Sequence, residues 1–285
     1  MENTFKSAKR GGFIYTATLL LFLAVSVLGQ WVLNLAGATG TIYYAVSSLF
    51  SVSVLAAAVF LSASGKPKLP YMRKFSYKFI VPALLLAFGM FLGLGFLNLL
   101  VGKGVKSLGG NVPDIKILLD TPQFILCTIT LCILPALFEE LFFRGVIADN
   151  LSGVRKISGI LTVALCFALY HLNIIKFCYQ FIYGVGLGLL ALKAKSVIPS
   201  IVAHFINNFL VLMAEYKIPV DLFNPFIIAV GIVLLAGFAA FMIFIDRKAK
   251  THTEPKESAI SFYFPFGAVG LFACAVLAVI SVLPL

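Results

Sequence analysis

Charge is what this chain has least of. Only 12% of its 285 residues are charged, and only 11 of them are acidic. Soluble domains carry about 25% charged residues, so an ordinary soluble fold is excluded. Paired cysteine spacings are also missing. Cys127, Cys132, Cys166, Cys178 and Cys274 lie in or beside apolar runs, and they read as small buried hydrophobes rather than disulfide partners or zinc ligands. The apolar runs do not alternate with polar residues, which excludes the strands of a membrane barrel. There is no internal repeat and no low-complexity segment. Three protease signatures are absent as well: His-Glu-x-x-His, Gly-x-Ser-Gly and Gly-x-Gly-Asp. No phosphate-binding loop is present; Gly184, Gly186 and Gly188 fall in an apolar run, and the Gly184–Gly188 spacing suits close helix packing.

What is present is apolar length. Hydrophobic residues make up 61% of the chain, and about twenty in a row suffice for one spanning helix. Eight or nine such runs are predicted: about Phe13–Leu35, Thr41–Ala63, Phe79–Val101, Pro122–Leu151, Ile157–His171, Ile175–Leu192, Val197–Tyr216, Leu222–Ile245 and Phe264–Leu285. The fold class expected is all-α, a polytopic transmembrane helical bundle in the cell membrane. The first run is longer than the ~7–15 residue core of a signal peptide, so it is expected to stay as a helix. The net charge of +11 points to basic loops rather than to nucleic acid. With nine spans and the N-terminus cytoplasmic, seventeen of the 22 Lys and Arg fall on the cytoplasmic side, as the positive-inside rule requires.

The fourth run carries Glu139 and Glu140 in the stretch Leu134–Gly145. An acidic side chain near the centre of a spanning helix costs roughly 2.5–3.5 kcal/mol, so such a pair needs partners, water or a task. Arg144 is one helical turn beyond Glu140 on the same face, where it can neutralise that carboxylate. Glu139, about 100° around the helix, is left to face elsewhere. Two of the three histidines also fall in apolar runs: His171 ends one, and His204 lies in another with Asn208 a turn later. His252 sits in a charged loop. At 1.5 Å per residue, Glu139, His171, His204 and Asn208 lie about 18, 21, 10 and 16 Å from the cytoplasmic helix ends. One polar cluster in mid-membrane is therefore feasible, because intramembrane polar groups face one another.

Such a cluster has two chemical uses. A carboxylate and an imidazole can deprotonate water for attack on a carbonyl, while a second imidazole and a carboxamide hold the oxyanion. Equally, Glu139, His171 and His204 match a zinc ligand set with an open water position. Residue types do not choose between these. A structural polar network in a membrane immunity factor or assembly scaffold is the non-enzymatic alternative. A proton-coupled transporter would want inverted repeats, and none is found.

The motifs Glu139-Glu140-x-x-x-Arg144, Phe167-x-x-x-His171 and His204-x-x-x-Asn208, in that order, resemble the CPBP family. This family comprises the CAAX-protease and bacteriocin-processing (Abi) intramembrane proteases, the Rce1-type prenyl-protein proteases among them. The resemblance covers about residues 122–212. It implies a catalytic core at 122–216, flanked by transmembrane helices at 1–121 and 217–285. It further implies that Glu139 and His171 activate water, that His204 and Asn208 bind the oxyanion, and that Glu140 and Arg144 support the site. Zinc or another divalent metal on the glutamate and histidines has also been described in the family. The substrate expected is a membrane-associated peptide or lipidated protein.

Overall fold

A backbone crossing lipid must bond all its polar groups within itself, and a helix does so within one segment. The structure, a computed structural model, describes residues 2–63, 76–112, 121–216, 220–247 and 259–283; among them every regular element is helical. Each apolar run of the sequence is a helix. They are α1 (Glu2–Leu35), α2 (Gly40–Ala63), α3 (Tyr77–Ser107), α4 (Thr121–Asn150), α5 (Lys156–Tyr170), α6 (Ile174–Ala194), α7 (Ile198–Tyr216), α8 (Pro225–Arg247) and α9 (Ile260–Ile280). The protein is a polytopic helical membrane protein. Seven of these helices are long and apolar enough to span; α5 and the apolar part of α7, Ile198–Ala214, are shorter. These two short helices are the ones the histidine motifs sit on or end.

The structure differs from the sequence reading in several particulars. Helix α1 continues eleven residues N-terminal of the expected start, through the basic segment, and its weak point, Gly11-Gly12, is packed against Phe262. Cys178 is exposed, whereas Cys127, Cys132, Cys166 and Cys274 are buried as expected. The charged loop with His252 lies outside the described residues. Helix α4 is not uniformly α. Thr128–Ile133 and Leu141–Ile147 are wide π-type turns on either side of Leu134–Glu140. Pro135 brings no N–H to the carbonyl of Leu131, and a ladder missing a rung is prone to such widening.

Three apolar clusters hold the bundle. One joins α1, α2, α4, α5 and α9 around Tyr15, Phe142, Phe143, Phe167 and Phe262. A second joins α3, α6, α7 and α8 around Met90, Tyr183, Leu187 and Phe238. The smallest packs the start of α4 on the end of α7 through Phe124, Cys127, Cys132, Phe209 and Leu212. Glycines set two of the crossings. A Cβ on Gly231 of α8 would come within 2.0 Å of the Gly93 backbone nitrogen on α3, so these two backbones touch. A Cβ on Gly184 would come within 3.1 Å of Ala164 Cα, and one on Gly188 within 3.2 Å of Ile160, which brings α6 close against α5. Trp31, Phe60, Leu61, Val233 and Phe272 are exposed apolar side chains, as a lipid-facing surface requires. The polar groups of α4, α5 and α7 lie inside, where the first two clusters meet.

Candidate active site

Glu140 is the anchor. Its side chain is fully buried, and Oε1 accepts a 2.9 Å bond from Arg144 Nη1, the turn-spaced pair expected from sequence. The same oxygen lies 2.9 Å from His204 Nδ1, so one carboxylate oxygen ties α4 to α7. Arg144 Nη2 donates to the carbonyl of Gly184 on α6 at 3.1 Å. Its guanidinium carbon also sits 4.5 Å from the centre of the Phe167 ring on α5. A buried charge is tolerated only when paired and hydrogen-bonded, and here four helices meet on the pair.

Glu139 faces the other way. Its carboxylate is 15% exposed, and Oε2 lies 3.9 Å from His171 Nε2 and 3.9 Å from His204 Nε2. That separation is too long for a direct hydrogen bond, and Oε2 has no hydrogen-bond partner. His171 caps the end of α5 with its Nδ1 2.8 Å from the Phe167 carbonyl. A carbonyl only accepts, so Nδ1 carries the proton and the neutral ring presents a bare Nε2. The same logic applies to His204, whose Nδ1 faces the Glu140 carboxylate. Three acceptors thus converge from α4, the end of α5 and α7. Acceptors gathered in one place call for a proton donor or a cation between them.

A divalent ion fits this set in kind: one carboxylate and two imidazoles, each imidazole steered by an acceptor on its far nitrogen, as zinc sites are built. Ligands on tetrahedral zinc stand roughly 3.4 Å apart, so the 3.9 Å gaps would have to close by about half an ångström. As they stand, no group of three His, Cys, Asp or Glu among the described residues is close enough to hold an ion.

Asn208 lies on α7 one turn beyond His204, and its Nδ2 is 3.5 Å from the Leu131 carbonyl, the one that Pro135 leaves without its helical donor. Phe167, the first residue of the His171 motif, and residues not singled out from sequence complete the surroundings. Phe167 packs edge-on against His171, His204 and Phe143. Tyr183 packs against His204, and buried Asn207 accepts from the Tyr179 hydroxyl. The usable signal was helical spacing: Tyr179 and Tyr183 are a turn apart, and Asn207 lies three residues after His204.

Residues 121–210 match the family model described as type II CAAX prenyl endopeptidase, Rce1-like. This segment is similar to Rce1-like domains. It takes up about a third of the chain, and all six motif residues fall inside it. The Rce1-like family is a protease family, and the helices on either side of the matched segment contribute packing, as Phe22 of α1 does against Tyr170. No curated protein and no solved structure matches the chain.

Proposed function

We propose that the protein is an intramembrane endopeptidase that hydrolyses a peptide bond in a membrane-associated substrate, prenylated near its C-terminus or carrying an apolar leader. One observation carries the reading: the unpartnered, buried Oε2 of Glu139 faces the bare Nε2 atoms of two histidines from two other parts of the bundle. A gap of 3.9 Å between acceptors suits one water donating a proton to each.

The water donates to Glu139 Oε2 and to His171 Nε2, which leaves an oxygen lone pair directed away from both. As that oxygen attacks the scissile carbonyl carbon, Glu139 takes a proton and the carbonyl π pair moves onto oxygen. The amide of Asn208 donates to this oxyanion, and so does His204 once its Nε2 has taken a proton from solvent, giving the imidazolium that the Glu140 carboxylate stabilises. Glu139 then gives its proton to the leaving nitrogen, the C–N bond breaks, and the products are a carboxylic acid and an amine. Glu140 and Arg144 fix the His204 ring and keep the site folded. A zinc ion held by Glu139, His171 and His204 would add Lewis-acid polarisation of the carbonyl and a more acidic water.

The test compares peptides in membranes of cells making the wild-type chain or Glu139→Ala, alongside metal analysis of both purified proteins. Peptides with new termini are expected only with the wild type. Identical peptide sets from two folded proteins would replace the enzyme with a structural scaffold.

A further inference from the structure

Five buried polar atoms around the two glutamates have no partner: Glu139 Oε2, Glu140 Oε2, Arg144 Nε and the hydroxyls of Tyr170 and Tyr183. Two are acceptors and three are donors. Buried polar groups in folded proteins are nearly always paired, so five orphans in one neighbourhood call for bridging water.

Arg144 is already held through its other two nitrogens by Glu140 and the Gly184 carbonyl, and the remaining four orphans sort into pairs. Tyr170 precedes His171 and packs its ring 5.6 Å from that of Phe143, one turn beyond Glu139. Tyr183 precedes Gly184, whose carbonyl binds Arg144, and its ring lies 6.0 Å from that of His204. Each glutamate therefore has one carboxylate oxygen with a lone pair to spare and one idle phenol packed near it.

We propose that Tyr170 and Tyr183 are matched positioning residues, each donating through one bridging water to Oε2 of its own glutamate, Tyr170 to Glu139 and Tyr183 to Glu140. This deepens the peptidase reading and rests on it for the catalytic consequence. Tyr170 holds the base in the rotamer that faces both Nε2 atoms. Tyr183 keeps Glu140 from turning away from His204. A water bridge satisfies one donor and one acceptor at little entropic cost.

Tyr170→Phe and Tyr183→Phe test the proposal, since each removes one oxygen and keeps the ring packing. The first readout needs no substrate: the infrared carboxylate stretch of purified protein, with Glu139→Gln marking the Glu139 band. Tyr170→Phe is expected to shift the band that Glu139→Gln removes and Tyr183→Phe to leave it in place. A Glu139 band unmoved by Tyr170→Phe overturns the pairing, as does one moved equally by both variants. The second readout is hydrolysis of a fluorogenic farnesylated tetrapeptide. Tyr170→Phe is expected to lower kcat about tenfold with KM within twofold, whereas a packing defect would move stability instead. Full turnover by Glu139→Gln would sink the peptidase mechanism and leave the infrared result standing by itself.

Discussion

Adjacent in sequence, Glu139 and Glu140 have been given opposite surroundings. Glu140 is sealed from solvent, and its Oε1 meets a guanidinium and an imidazole at 2.9 Å each. Glu139 keeps a 15% exposed carboxylate whose Oε2 has no hydrogen-bond partner and lies 3.9 Å from each of two imidazoles. A helix turns about 100° per residue, so consecutive side chains look into different neighbourhoods. Here one is pinned between Arg144 and His204 of α7, and the other looks towards His171 at the end of α5. Under the proposed mechanism labour is divided: a carboxylate pinned through one oxygen fixes geometry, and one with no direct partner serves as the base. The shared His204 links them, bound to Glu140 by one nitrogen and offered to Glu139 by the other.

The largest test removes reactivity and keeps shape. Glu139→Gln preserves size and hydrogen bonding but abolishes the base, so cleavage is expected to fall about 10³-fold with the unfolding midpoint unchanged. The mirror experiment is Glu140→Ala. It leaves Arg144 buried without its counter-charge, a loss of about 3–5 kcal/mol in stability. Replacing both as Glu140→Ala, Arg144→Met is expected to regain much of that stability in a denaturation series. Cleavage is not expected to return, because the His204 ring has lost its anchor. If Glu140→Ala folded normally and lost only activity, the two roles would have to be exchanged.

A smaller effect separates the two uses of Asn208. An amide that serves the Leu131 carbonyl alone contributes about 1 kcal/mol of stability and nothing to turnover. An amide that also holds an oxyanion contributes about 100-fold to kcat. Asn208→Ala is expected to show the second, larger loss in kcat together with a slight loss of stability.

How much of this was legible beforehand follows from range. The nine helices were readable because apolar length is a local property of the chain. The Glu140–Arg144 pair was readable because turn spacing is local too. The contact from His204 Nδ1 to Glu140 spans 64 residues, and no spacing rule reports which nitrogen of a ring finds which oxygen. The wide turns of α4 were missed for a different reason. Pro135 announces a ladder defect, but whether the helix breaks, kinks or widens depends on what packs around it. Tyr170 and Tyr183 looked like ordinary core aromatics, which most tyrosines in apolar helices are, and only their unpaired hydroxyls distinguish them.

The smallest change concerns the surface and asks which way round the two glutamates face. Four of the five cysteines are buried, and Cys178, in the first turns of α6, is exposed. With a cytoplasmic N-terminus, and with α5 crossing in spite of its shorter length, α6 begins on the far side. A membrane-impermeant maleimide added outside intact cells is therefore expected to label Cys178. Cys178→Ser should abolish labelling and leave stability within about 0.5 kcal/mol, as a surface substitution does. Since His171 ends α5 only a short turn before α6 begins, the end of α5 that carries His171 lies on the face that Cys178 reports. Labelling only after the cells are opened would turn the bundle over and put that end of α5 towards the cytoplasm.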